Sequence, residues 1–238
     1  MKKYFLIALT LIMAIPALNM QAQEMKYLFQ GKDKDVSISG FAAIFNEFSG
    51  FDGDFAFSMG GGAAMLIDQR FFIGGYGQGI TTRHLRTITR YEEGVSDYNI
   101  VYPDLYTRFG HGGFWLGYIH NPKKAINFGI NTKLGWGAVS MTDKTFKEYH
   151  EYDENWYNYM HDNVFVIQPE IDLNMNLLKW MRASVGVGYR FVTGLNQTYE
   201  YLPNDNPSEE PVQKEYFKKG ALDSFTGNIT LAFGWFNN

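Results

Sequence analysis

No cysteine occurs in the 238 residues. Disulfides, zinc–thiolate sites, iron–sulfur clusters and thiol nucleophiles are thereby excluded, and packing and hydrogen bonding must supply the stability. Long apolar runs are almost as scarce. The one candidate, Tyr4–Ile15, is broken by Pro16 and falls short of the roughly 20 residues of a spanning helix. If the chain enters a membrane after that point, it does so as strands. Positive charge is also in deficit, with 21 Lys and Arg against 25 Asp and Glu, a formal net charge of −4. This argues against nucleic acid as a partner. The glycine runs Gly60–Met65 (GGGAAM) and Gly74–Gly79 (GGYGQG) do not fit G-x-G-x-x-G and open no helix, so tight curvature or close packing explains them better than phosphate binding. No cofactor and no metal motif is indicated.

Turning to what is present, Met1-Lys2-Lys3, the apolar run and the small residue Ala22 together have the layout of a secretory signal peptide. The expected organisation is a signal peptide over 1–22 and one domain over 23–238, its first residues 23–35 forming a polar, flexible lead-in. Aromatic residues make up 17% of the chain and glycine is abundant, at 25 residues.

The clearest pattern is Val164–Val192. Phe165, Ile167, Pro169, Ile171, Leu173 and Met175 alternate with Gln168, Glu170, Asp172, Asn174 and Asn176. After a break at Leu177–Trp180, Met181, Ala183, Val185, Val187, Tyr189 and Phe191 alternate with Arg182, Ser184, Gly186, Gly188 and Arg190. Successive strand side chains point to opposite faces, so this is a β-hairpin with one apolar and one polar face. The same reading places strands at Val36–Phe48, with poorer alternation, and at Asp54–Ile67, Phe71–Thr82, Arg108–Ile119, Ile126–Ala138 and Phe225–Phe236, making eight. Breaks after the second, fourth and sixth strands are short. Those after the third, fifth and seventh are long, so all long loops fall at one end of an up-and-down sheet.

Apolar faces end in aromatics at two depths: Trp136, Phe165, Tyr189 and Phe191 towards the loops, and Tyr118, Trp180 and Trp235 towards the turns. Two aromatic belts are what the two interfaces of a bilayer select. The opposite face is built from Gly, Ser, Asn and charges, too small and polar for the core of a soluble, lipocalin-like barrel, which is the alternative. The signal peptide, eight alternating strands, loop asymmetry and aromatic final strand together resemble the small eight-stranded outer-membrane barrels of the OmpA/OmpX type. The resemblance is one of pattern over nearly the whole chain after the signal peptide. It implies an all-β, eight-stranded antiparallel up-and-down transmembrane barrel with short periplasmic turns and long extracellular loops, located in the cell outer membrane. Implied partners are the bilayer with its lipopolysaccharide and the barrel-assembly machinery, and the implied state is a monomer.

In such a barrel Lys133, Glu170, Asp172, Arg182 and Arg190 face inward. Buried charges must be paired, so an internal ion-pair network is expected, as a structural plug or as a narrow ion path. Pro169 lacks an N–H and predicts a local bulge. The segment Thr142–Asn163 is rich in aromatics and acids. His150, Tyr152, Trp156, Tyr157 and His161 form a candidate ligand-contact loop for an extracellular protein or glycan, with packing against neighbouring loops as the plainer reading. The acidic segment Gly194–Ser224 is expected to be a solvated surface. A rim serine activated by histidine, Ser140 with His84, is the candidate site for an outer-leaflet lipid A-modifying enzyme. Against that alternative and that of a small-solute channel, the reading carried forward is a non-catalytic barrel with a structural or surface-interaction role.

Overall fold

The computed structural model describes residues 36–142 and 158–236. The expected signal peptide, the lead-in, and His150, Tyr152, Trp156 and Tyr157 of the candidate contact loop lie outside these residues. The described residues carry eleven strands: β1 (Ile38–Phe51), β2 (Asp54–Ile67), β3 (Phe71–Ile80), β4 (His84–Arg90), β5 (Ile100–His120), β6 (Ile126–Thr142), β7 (Asn158–Leu178), β8 (Met181–Thr193), β9 (Thr198–Tyr201), β10 (Val212–Glu215) and β11 (Ser224–Gly234).

Every wall strand is antiparallel to its neighbours. The order runs β3-β2-β1-β11-β8-β7-β6-β5, and β3 pairs back onto β5 to close the sheet. Strand β4 continues the line of β3 along the same partner: Gly110–Tyr118 of β5 pairs with β3, while Ile100–Thr107 pairs with β4. The wall therefore contains eight strands, closed without an edge. Closure satisfies the backbone groups that an open sheet would leave bare.

Several elements extend further than the sequence pattern suggests. The segment between Thr82 and Thr107, read as a loop, carries β4 and the first residues of β5, so these strands extend the wall as a hairpin. Strand β1 continues through Ser49-Gly50-Phe51, and the turn is Asp52-Gly53 alone, both residues with positive φ (51° and 92°). That is the two-residue hairpin geometry favoured by Asp-Gly. The Gly194–Ser224 segment, read as a solvated loop, holds the β9–β10 hairpin and the buried Leu195, Leu202, Tyr216, Phe217 and Leu222.

At Pro169 the expected bulge is absent. The β7–β8 register is the same on both sides of the site, Ile167 opposite Phe191 and Glu170 opposite Gly188, but Gln168 and Pro169 have no ladder partners on β8. Pro169 keeps its pairing with Thr132 on β6. A missing N–H on the β8 side accounts for the gap without an inserted residue.

The outer wall is apolar along every strand. Ile44, Met59, Ile73, Phe114, Phe128, Ile130, Ile171, Val185, Val187 and Ile229 are all exposed. Scattered exposed apolar side chains need no explanation, but a continuous belt does. Of the aromatics assigned to belts, Trp136, Phe191, Trp180 and Trp235 are exposed; Phe165, Tyr189 and Tyr118 are half-exposed on the same face. Phe236 turns inward and is buried.

Candidate functional site

The barrel interior is filled in three layers. At the turn end lies an aromatic cluster of Phe41, Phe45, Phe72, Trp115 and Phe236 with Leu66 and Ile119. Phe45, Phe72 and Phe41 meet the Trp115 ring edge-on at 5.0, 4.8 and 5.4 Å. At the loop end a second apolar cluster joins Phe51, Ile88, Leu105, Phe109, Val139, Met141, Val192, Phe217 and Leu222. The inner face is thus not uniformly small and polar, as the sequence pattern suggested. Apolar clusters lie towards both ends, with Glu47, Lys133, Glu170 and Arg190 between them and Asp172 and Arg182 beside the turn-end cluster.

The middle layer is a continuous chain of charged hydrogen bonds. Arg190 Nη1 lies 3.2 Å from Glu47 Oε1. The other Glu47 oxygen accepts from Gln168 Nε2 (2.6 Å) and Gln78 Nε2 (2.8 Å). Gln168 Nε2 also donates to Glu170 Oε1 at 2.7 Å, and Lys133 Nζ reaches that same oxygen at 2.9 Å. One amide therefore bridges two carboxylates, each holding its own cation. Arg190 donates further to Ser49 Oγ, Gly50 O and Leu222 O, so its guanidinium is held on several sides.

The five interior charges named from sequence divide in two. Lys133, Glu170 and Arg190 belong to this chain. Asp172 and Arg182 form no ion pair among the described residues. Asp172 Oδ2 accepts from Asn131 Nδ2 (2.5 Å), whose Oδ1 in turn accepts from Trp115 Nε1 (3.0 Å). Arg182 donates Nε to Asn176 Oδ1 at 2.8 Å and stacks 4.3 Å over the Phe236 ring. Both line one cavity of about 30 Å³, room for about one water.

Glycines set how closely these groups approach. A Cβ at Gly135 would strike the Tyr76 hydroxyl, and one at Gly186 would strike the Asp172 carboxylate and the Asn228 amide. His111 is buried, and its Nδ1 is 2.8 Å from the Tyr76 hydroxyl. Glu47 was missed. It sits in β1, where Phe41, Ala43, Phe45 and Phe51 face in while Ile44 and Phe48 face out. With apolar side chains on both faces, alternation gave no signal there.

The proposed His84–Ser140 pair is not formed. His84 is opposite Thr107 on the inner face, stacked on the buried Phe51 at 4.9 Å, and its Nε2 is 2.9 Å from Thr82 Oγ1. Ser140 is opposite the exposed Arg108, between the inward Val139 and Met141. The two side chains lie on opposite faces of the sheet, so no proton can pass between them. The cross-strand partner of Ser140 is His161, which is exposed on the outer face of β7.

At the loop end, two segments far apart in sequence are latched together. Asn99 and Leu202 exchange two hydrogen bonds, Asn99 Nδ2 to Leu202 O (2.9 Å) and Leu202 N to Asn99 Oδ1 (2.8 Å). Asn99 N also donates to Asp205 Oδ1 at 2.7 Å. Tyr91 N donates to Glu200 O at 2.7 Å. Glu92 forms an ion pair with Arg90 and accepts from the Tyr102 hydroxyl at 2.5 Å. Partial burial alone would raise the Glu92 carboxyl, but the hydrogen bonds from Tyr102 and Arg90 and the Arg90 charge together hold it below the ordinary carboxylate range. Burial and the bond to Glu92 push the Tyr102 phenol up to about 12.

A closed eight-stranded antiparallel wall, apolar outside and carrying charged side chains inside, is the architecture of a small outer-membrane β-barrel protein. No protein-family model matches the sequence, and no curated protein matches it. Among solved structures the chain is similar to Neisserial surface protein A (9% identity, TM-score 0.48, covering 84% of this chain and 99% of that one). It is also similar to a major outer membrane protein from Thermus thermophilus (9% identity, TM-score 0.47, 84% and 100%). At this level the likeness is one of general form.

Proposed function

We propose that the protein is a non-catalytic outer-membrane barrel with a structural or surface-interaction role, reached after removal of a signal peptide over residues 1–22. Its long-loop end faces outward and its three short turns face the periplasm. The observation that carries this reading is the filling of the barrel. Among the described residues, apolar clusters towards both ends and a hydrogen-bonded charge chain between them fill the barrel, which favours a role carried by its surfaces. The loop end supports the reading because it is built: Asn99 and Tyr91 fasten the β4–β5 hairpin to the segment that carries β9 and β10. A fixed surface presents the same contacts to every partner, which lowers the ordering cost of binding.

The decisive experiment is a pull-down from candidate host or bacterial surface fractions with the detergent-folded protein. Binding that disappears when Asn99→Ala unfastens the two segments supports the role, and capture that is unaffected by the loop end refutes it. Planar-bilayer recording should give no unitary conductance. Lipid A from cells with and without the protein should have the same mass profile, and an altered profile would restore the enzymatic alternative.

A further inference from the structure

The turns carry a charge pattern that the loop end does not share. Arg70, Lys123, Lys124 and Lys179 stand exposed on the three short turns, with Asp68 as the one carboxylate among the turn residues. Between the β5–β6 and β7–β8 turns lies a notch of about 410 Å³. Lys123 and Lys179 line it, and Leu177, Leu178, Pro122 and Phe236 supply apolar surface.

Both turns are fixed. Asn176 Nδ2 donates to Pro122 O (2.8 Å) and Lys124 O (2.9 Å), and Asn176 N donates to Ala125 O (2.9 Å). Gly234 N and Phe236 N donate to Trp180 O and Lys179 O (2.9 and 3.2 Å). The exposed indoles of Trp180 and Trp235 lie at the same end. Tryptophan on a membrane barrel marks the headgroup layer. At that depth a notch lined by two lysines beside apolar side chains complements one kind of neighbour.

We propose that this notch binds the headgroup of an anionic phospholipid of the leaflet on the turn side, its phosphate between Lys123 and Lys179 and its first methylenes on Leu177 and Leu178. The proposal rests on the membrane-inserted reading above. A basic side chain at an anionic membrane surface is worth about 1 kcal/mol, about fivefold in affinity for each lysine lost.

The test is native mass spectrometry of the delipidated, detergent-folded protein. Phosphatidylglycerol is added in one sample and phosphatidylcholine of the same chains in another. The expected result is one retained phosphatidylglycerol, clearly preferred over phosphatidylcholine. Lys123→Gln with Lys179→Gln should weaken retention about 25-fold, while Arg70→Gln, outside the notch, should leave it unchanged. The unboiled gel mobility of each variant reports folding. Equal retention of the two lipids, or retention indifferent to the double substitution, overturns the proposal. Displacement of the lipid by millimolar glycerol 3-phosphate would assign the notch to a water-soluble phosphate and overturn it as well. A protein soluble without detergent would instead fail the membrane reading itself.

Discussion

Replacing Glu47 by Met tests the interior chain at its most connected residue. The substitution keeps the volume and removes the carboxylate that holds Arg190 at 3.2 Å and accepts from Gln168 and Gln78. Arg190 is fully buried, so its charge would be left without a carboxylate at ion-pair distance. Removing one partner of a buried pair costs about 3–5 kcal/mol. Ser49 Oγ, Gly50 O and Leu222 O remain as neutral acceptors, which places the expected loss in the lower half of that range. With a urea dependence of roughly 2 kcal/mol per molar, the unfolding midpoint in lipid vesicles should fall by about 1.5–2 M. Adding Arg190→Met removes the stranded charge and lets a methionine pack on Phe109, whose ring lies under the guanidinium at 5.2 Å. The double variant should therefore recover most of the loss, to within about 1–2 kcal/mol of the parent. The assay is urea unfolding followed by tryptophan fluorescence and by the unboiled gel shift. A loss below about 1 kcal/mol for Glu47→Met, or strictly additive losses in the double variant, would show that Glu47 and Arg190 do not stabilise each other as the geometry requires.

Arg182→Met should cost less than Arg190→Met, about 1–2 kcal/mol against 3–5 kcal/mol, because Arg182 makes one side-chain hydrogen bond and one ring contact and leaves no paired carboxylate behind; equal costs in urea unfolding would contradict this. Glu92 is held below its ordinary value in the folded protein, so its contribution is present above the unfolded carboxylate range and lost as pH falls through the folded value. Protease protection of the β4–β5 hairpin should accordingly hold at neutral pH and weaken as pH falls below the ordinary carboxylate range, and Glu92→Gln should abolish that dependence. Pro169→Val restores an N–H facing β8 and should be neutral or stabilising by about 1 kcal/mol; a loss of more than that would show that the proline serves the wall.

The wall was legible in the sequence wherever one face was polar. In β6, β7 and β8, period-2 alternation distinguished inside from outside, because the inward Asn127, Asn131, Lys133, Glu170, Asp172, Arg182 and Arg190 stand between apolar neighbours. Where both faces are apolar the signal vanished. Strand β1 hid Glu47 for that reason, and the aromatic layer of Phe41, Phe72 and Trp115 went unread. Pairing partners were not legible either, because partners come from strands far apart: Glu47 meets Arg190 across 143 positions of sequence. The polar composition of Thr82–Thr107 and Gly194–Ser224 suggested solvated loops. Order there depends on a few specific bonds, such as the Asn99–Leu202 exchange, which composition does not encode.

The interior charges raise a further question, since apolar replacements of a buried pair are often as stable as the pair itself. Register supplies the answer. A slip of one residue in β7 against its neighbours would turn Gln168, Glu170 and Asp172 into the lipid and bring Ile167, Ile171 and Leu173 inside. A charged group on the lipid face costs up to about 2–4 kcal/mol at mid-membrane, and three polar groups would move together. The same slip in β8 would expose Arg182 and Arg190. In β1, where Phe and Ala occupy both faces, Glu47 is the one charge that distinguishes them. Its chain to Gln168, Glu170 and Lys133 fixes β1 against β6 and β7 across the interior. The charges thus make the wrong registers expensive even where the right one gains little from them. An apolar substitute for the Glu47–Arg190 pair would keep most of the stability of the finished barrel while removing the one charge by which β1 recognises its inner face.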